Sequence, residues 1–239
     1  MAEAVLEIEP SFYEKMDPEK VPEIPRYVDE AAEVFAELLG NGTPEFKQAL
    51  QQETVNSIIG IHKSALEREE KAKLIRATLR VSLPLFIGEN NKRNEAGIFG
   101  EVSTHLALEQ LQFGVQDPSE EDDLWGIDMW VDSKGGTPPW AVQVKTNAKL
   151  EEPVVHRLMT TPGGNLANSD LPYSYHTSAQ NMLDRITNLN IDAPALLIEI
   201  PGGDNTEYGT YNSITGAPSD RYVNDLYDKI ESVMFTEEY

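Results

Sequence analysis

The hydrophobic period of this chain changes near Phe113, and that change decides which layers it can build. Up to that point apolar residues recur at helical spacing. Val28, Ala31, Ala32, Phe35, Leu38 and Leu39 line one face, and Gly40-Asn41-Gly42 stops the run. Thr43-Pro44-Glu45-Phe46 then opens a second helix, with Thr43 as N-cap and Pro44 in the first turn, that continues through Val55, Ile58 and Ile59. A third spans about Ser64 to Leu83 and ends at Pro84, with Glu67, Glu69, Glu70, Lys71 and Lys73 on a solvated face. Residues 88–97 read as a linker by composition, and a helix is expected from about Ile98 to Gln112. Strands are then expected near Phe113 to Gln116, Gly126 to Ser133 and Trp140 to Asn147. A loop around Pro162-Gly163-Gly164, a helix from about Ser178 to Leu189, a buried strand from Ala193 to Ile200, a loop from Gly202 to Ser219 and a helix from Asp220 to Phe235 complete the order. Helix, three strands, helix, strand, helix describes an α/β sandwich on a mixed sheet. Two parts follow: residues 1–90, an acidic arm (Pro10, Pro18, Pro22 and Pro25 among many acids) with an α-helical extension, and residues 91–239, the α/β domain.

Length and composition admit this. A chain of 239 residues fits one elaborated domain or two small ones, and 40% hydrophobic content supplies a core. No run of eighteen apolar residues offers a membrane span. The start, Met1-Ala2-Glu3-Ala4, lacks a basic segment ahead of an apolar one, so a cytoplasmic location is expected. Cysteine is absent, which excludes disulfides, thiol nucleophiles and cysteine zinc sites. The charge is extreme, with 41 acidic residues against 19 basic ones for a net −22. That is the wrong sign for binding a polyanion. Three readings stand side by side: a high-salt cytoplasm in which an acidic surface maintains solubility, a basic partner protein, or an acidic surface around a locally basic groove. In multimolar salt, long-range steering toward DNA is screened in any case.

The chemistry concentrates between Glu101 and Lys145. Alternate side chains of a strand share a face. Asp128 and Trp130 therefore point one way, with Ile127, Met129 and Val131 toward the core. On the next strand Gln143 and Lys145 share a face, opposite Val142 and Val144. If the two strands pair as an antiparallel hairpin, Asp128 sits beside Gln143 and Lys145, and Glu101 arrives from the preceding helix, packed by Phe99, Val102 and Leu106. Magnesium wants oxygen ligands and keeps several waters. Asp128 and Glu101 offer carboxylates, Gln143 an amide oxygen and Val144 a backbone carbonyl. A lysine at that point can hold or help deprotonate an attacking water and balance developing negative charge.

Glu101, then Gly126-Ile127-Asp128, then Gln143-Val144-Lys145 resembles the pattern of the PD-(D/E)xK nuclease superfamily, which includes restriction endonucleases, archaeal Holliday-junction resolvases and several repair nucleases. The resemblance covers roughly residues 94–200. It implies a restriction-endonuclease-like mixed sheet flanked by helices, here with an α-helical N-terminal extension. It also implies Mg2+ (or Mn2+) as cofactor and DNA as partner, and, since many members dimerise to cut two strands, a homodimer, for which no interface is legible. By resemblance Asp128 matches the central metal-binding aspartate, Gln143 the second acidic position, Lys145 the catalytic lysine and Glu101 the helix glutamate. Gln143 departs from the usual Asp or Glu, which removes a negative charge, should weaken metal binding and leaves room for an inactive relative that binds DNA or a basic protein.

The remaining polar residues carry weaker signals. Asp123, in the acidic turn Glu120-Glu121-Asp122-Asp123, either reaches the same metal or belongs to a solvated turn. His105 reads as a partly buried helix histidine, and His62, His156 and His176 lack zinc-ligand spacing. Thr146 and Asn147 either bond phosphate or simply end a strand. Lys149, Arg157 and Arg185 are the few basic residues near the core, some of them expected to line a DNA groove. Trp130 and Trp140 read as packing residues, and Tyr208 and Tyr211 as substrate contacts or packing. Phosphate-binding, nucleophile-elbow and dinucleotide glycine motifs are absent.

Overall fold

The computed structural model describes residues 44–83, 91–132, 139–169, 171–202 and 208–234. The expected N-terminal arm, the helix from Val28 and the Thr43 cap lie outside the described residues. The chain divides into two units: residues 1–102 with Ser213–Gly216, and Ser103–Asn212 with Ala217–Tyr239.

The first unit is helical. It holds α1 (Pro44–Lys63), α2 (Arg68–Ser82) and the N-terminal part of α3 (Asn91–Gln110). Its core is aliphatic: Leu50, Ile58, Ile61, Leu74, Ile75 and Ile98 are almost fully enclosed. Glu67 and Glu70 form a reciprocal capping box that satisfies two amides at the start of α2. α3 begins at Asn91, so the last part of the expected linker is helical. Its polar composition, Asn-Lys-Arg-Asn-Glu, suits an exposed first turn as well as it suits a loop.

The second unit is an α/β sandwich. Its five-stranded mixed sheet has the order β1-β2-β3-β5-β4, with β1 (Gly114–Gln116), β2 (Met129–Asp132), β3 (Trp140–Asn147), β4 (Val154–Leu158) and β5 (Ala195–Pro201). β2 and β3 are antiparallel, with Met129 opposite Val142. β3 and β5 are parallel, with Gln143 opposite Leu197 and Lys145 opposite Glu199. β4 runs antiparallel to β5 at the far edge. It was absent from the expected order because Val154-Val155-His156-Arg157-Leu158 is short and two of its five residues are polar. Between β1 and β2 a short α4 (Glu120–Leu124) replaces the expected acidic turn. α5 (His176–Asn188) and α6 (Asp220–Met234) complete the unit.

Two apolar layers enclose the sheet. On one side Met129, Val131, Val142, Val144 and Ile198 pack under Ala107 and Leu108 of α3 and under Tyr222, Leu226 and Ile230 of α6. On the other, Ile127, Ala141, Leu158, Ala195 and Leu197 pack under α5. α5 earns this place through Ala179, Met182, Leu183 and Ile186, which recur at helical spacing on one stripe. The larger three each contribute about 1.5–3 kcal/mol on burial. All seven residues of β5 are buried, as expected of a strand flanked on both edges and covered on both faces.

One expectation changes here. Ile127, Met129 and Val131 do not share a core: Ile127 turns to the α5 side while Met129 and Val131 face α3 and α6. Ile127 precedes the strand proper, so strand alternation does not govern it. The Gln143 face of β3 is enclosed at that residue. It lies under α5, and Gln143 is 1% exposed.

Candidate functional site

The local chain around Asp128 is set by two helix caps. The Ser119 hydroxyl accepts from the Asp122 N–H (3.1 Å) and starts α4. Gly126 ends it at φ +86°. The Gly126 N–H returns to the Asp123 carbonyl (2.8 Å) and the Ile127 N–H to the Asp122 carbonyl (3.0 Å), the paired bonds of a Schellman stop. The chain therefore leaves α4 with a fixed direction and delivers Asp128 to the end of β2.

At Asp128 the β2–β3 ladder becomes irregular. Its N–H donates to the Val142 carbonyl (2.9 Å), and its carboxylate takes the Val144 N–H at 2.6 Å, where a regular ladder would supply a backbone carbonyl. A strand residue directs its N–H and C=O toward the same neighbour, so the Val144 carbonyl faces the β2 side as well. Burial pushes the Asp128 carboxyl above its usual pKa, and the Lys145 charge and the Val144 N–H oppose that rise.

Gln143 is adjacent and almost wholly enclosed. Its Nε2 donates to the Gly126 carbonyl at 2.7 Å. A carbonyl can only accept, so this contact orients the amide and turns Oε1 the other way, where no partner meets it. Gly126 is what makes the contact fit: a Cβ there would lie 2.5 Å from Gln143 Nε2. Lys145, half-buried on the same face, makes no hydrogen bond or ion pair with a described residue, although its charge acts on Asp128.

Asp128, Gln143, Val144 and Lys145 thus come together in the sheet unit. Glu101 belongs to the helical unit. It is buried on α3, and its carboxylate accepts from Gln51 Nε2 of α1. Among the described residues no three His, Asp or Glu side chains gather to hold a metal. Within the sheet unit the oxygen donors are one carboxylate, an unpartnered amide oxygen and a backbone carbonyl. All are hard ligands of the kind magnesium accepts, with water filling the other positions. The unsatisfied Gln143 Oε1 fits such a cation, because a buried acceptor without a partner is costly.

The polar face continues into β5 and β4. Glu199 stands opposite Lys145 and is 3% exposed. Its carboxylate accepts from His156 (2.9 Å) and from Asn147 Nδ2 (3.1 Å). Neither His156 nor Glu199 was assigned a role from sequence. The available signal was Glu199 itself, a lone charge inside Ala195-Leu-Leu-Ile-Glu-Ile, since an acid in so apolar a run needs partners. Asn147 is bound to that carboxylate.

Other candidates settle into structure. Asp122 and Asp123 are buried, while Glu120 and Glu121 of the same short helix are exposed. Burial raises the Asp122 pKa, but hydrogen bonds from Arg185, Ser119 and Trp130 outweigh it and hold the carboxyl below its usual value. Arg185 reaches Asp122 at 2.7 Å and Glu121 at 2.8 Å, which removes it from the expected DNA groove. His105 is a buried helix histidine 3.2 Å from Glu109, His62 meets the Thr215 carbonyl and His176 that of Leu171. Trp140 packs on Phe113 with ring centroids 5.3 Å apart, and the Tyr208 hydroxyl donates to Asp225 at 2.7 Å.

No protein-family model, curated protein or solved structure matches the chain. The functional argument therefore stands on the site. No helix of the described residues is long and apolar enough to cross a membrane.

Proposed function

We propose that this chain is a metal-dependent nuclease of the PD-(D/E)xK type that hydrolyses DNA phosphodiester bonds. The observation that carries the reading is the buried Gln143 Oε1 without a hydrogen-bond partner, on the strand whose Val144 N–H meets the Asp128 carboxylate, with Lys145, unpaired among the described residues, two positions on. Asp128, Gln143 and the Val144 carbonyl would hold Mg2+ or Mn2+, while Glu101 belongs to the helical unit, where it accepts from Gln51. When bound, the cation supplies positive charge to a phosphoryl oxygen and acidifies a water.

The chain's own residues account for the rest. Lys145 Nζ would orient the attacking water, which gives a proton to solvent as its oxygen forms the new O–P bond and the P–O bond to the leaving strand breaks. Its ammonium balances charge on the phosphoryl oxygens, and the leaving alkoxide takes its proton from solvent. The Val144 N–H and the Lys145 charge favour the ionised form of Asp128, which a cation needs. Gly126 aims the Gln143 amide so that oxygen rather than nitrogen faces the site.

The test is cleavage of duplex, nicked, branched and single-stranded DNA with Mg2+ and Mn2+, in low and in high salt, alongside calorimetric titration of the metal. Metal-dependent cleavage abolished by Asp128→Ala supports the reading; intact DNA under every condition sinks it. A second reading keeps the fold without the chemistry, as a module that binds DNA or a basic protein. The single carboxylate of the sheet-unit site favours it, and the net −22 favours a basic protein as its partner. Metal binding separates the two, since Asp128→Ala removes it in the first case and changes little in the second.

A further inference from the structure

One helix of the first unit, α2, concentrates positive charge in an acidic chain. α2 carries five Lys or Arg and two Glu, a local net of +3. These are five of the 19 basic residues of a protein at −22. Lys73, Arg76 and Arg80 are all exposed and recur at three- and four-residue spacing on one stripe. Arg76 and Arg80, about 6 Å apart along the helix axis, line an open cleft of about 310 Å³ with Leu79, Leu83, Glu95 and Ser213. Three cations of the sheet unit pair with acids: Arg185 holds Asp122 and Glu121, Arg221 lies near Asp225, and Lys229 holds Glu152. Arg76 and Arg80 form no hydrogen bond or ion pair with a described residue, Glu95 in the same cleft included.

We infer that this cleft binds the phosphodiester backbone of a nucleic-acid strand. Two guanidinium forks one turn apart match phosphate oxygens in geometry and charge. The leucine floor accepts sugar faces, and the Ser213 hydroxyl adds a neutral hydrogen-bonding group. A single small anion meets the repulsion of the whole acidic chain with one contact, whereas a strand offers a phosphate at every step. The choice of nucleic acid among phosphate-bearing polymers rests on the proposed function; the site itself does not require cleavage.

The experiment is anisotropy of labelled single-stranded and duplex DNA titrated with the full chain in EDTA, so that binding is read apart from chemistry. Neutralising two phosphate contacts should lower the slope of log K against log salt by about 1.4 for single strands or about 1.8 for duplex. Arg76→Gln/Arg80→Gln is therefore expected to weaken binding and flatten the slope by that amount. The charge-matched pair Arg221→Gln/Lys229→Gln should leave the slope unchanged, and Arg76→Lys/Arg80→Lys should retain the slope with weaker binding. Three results would each overturn the inference: no DNA binding by the unaltered chain, equal slopes in the two Gln pairs, or displacement of DNA by millimolar inorganic phosphate. DNA bound through these arginines but never cut with metal would instead count against the nuclease reading alone.

Discussion

Gly126→Ala should destabilise the sheet unit by an amount that depends on Gln143. Two costs are separable. An L-residue at φ +86° loses about 1–2 kcal/mol relative to glycine. The added Cβ also meets Gln143 Nε2 at 2.5 Å, so the amide must withdraw and break its 2.7 Å bond to the Gly126 carbonyl. Leaving a buried donor and acceptor unpaired adds about 1–3 kcal/mol. The sum is about 2–5 kcal/mol. In a Gln143→Ala background the amide is gone and only the backbone cost remains, so the double-mutant cycle should give a coupling of about 1–3 kcal/mol. Urea unfolding followed by tryptophan fluorescence is the assay, because Trp125, Trp130 and Trp140 all lie in the sheet unit. Equal costs of Gly126→Ala in both backgrounds would refute the claim that this glycine orients the amide.

Four further outcomes follow from the geometry. Burial holds the Asp128 carboxyl above the usual aspartate range in the folded state, so its contribution to stability is present at low pH and lost as pH rises through the folded value. Asp128→Asn should therefore stabilise the metal-free protein at neutral pH in thermal melts, and a lower melting temperature would contradict the burial argument. Lys145→Met removes a charge that opposes that rise and should move the Asp128 carboxyl higher still, read by carboxyl-carbon NMR titration; an unmoved titration would place the lysine too far away to act. Asp122 shows the opposite sign, its stabilisation being present above the unfolded pKa and lost as pH falls through the depressed folded value. Arg185→Met should accordingly shift acid unfolding to higher pH in a circular-dichroism titration. Glu199→Ala strands the His156 and Asn147 donors in a buried site and should cost about 2–4 kcal/mol by urea unfolding; a change under 0.5 kcal/mol, the usual surface range, would mean the cluster is solvated.

Much of the fold was legible wherever one periodicity dominated. β3 spans Trp140–Asn147 as expected, and α1, α5, α6 and β5 lie within a few residues of the expected ranges, because apolar spacing and Pro or Gly punctuation agree there. The misses share a cause, which is that tertiary partners rather than local pattern decide those segments. β4 is short, its polar residues His156 and Arg157 are adjacent rather than alternating, and pairing with β5 makes it a strand. The acidic run at Glu120 becomes a helix because Arg185, sixty-three residues away from Asp122, neutralises one of its acids. Within the site, alternation brought Gln143 and Lys145 to one face, and the hairpin set Asp128 beside them. What sequence did not supply was the orientation of the Gln143 amide, which depends on a carbonyl in a Schellman turn, or the bond between Glu101 and Gln51, which joins residues fifty apart.

The strand order also limits how a second copy can attach. β1 and β4 form the two margins of the sheet. β1 has three residues, too short a template for another chain to zip onto, while β4 has five, with Arg157 exposed along it. Growth by strand addition is thereby discouraged at one rim and carries a positive charge at the other. Self-assembly through the helices covering the sheet, rather than through its backbone edges, would leave both rims open to solvent.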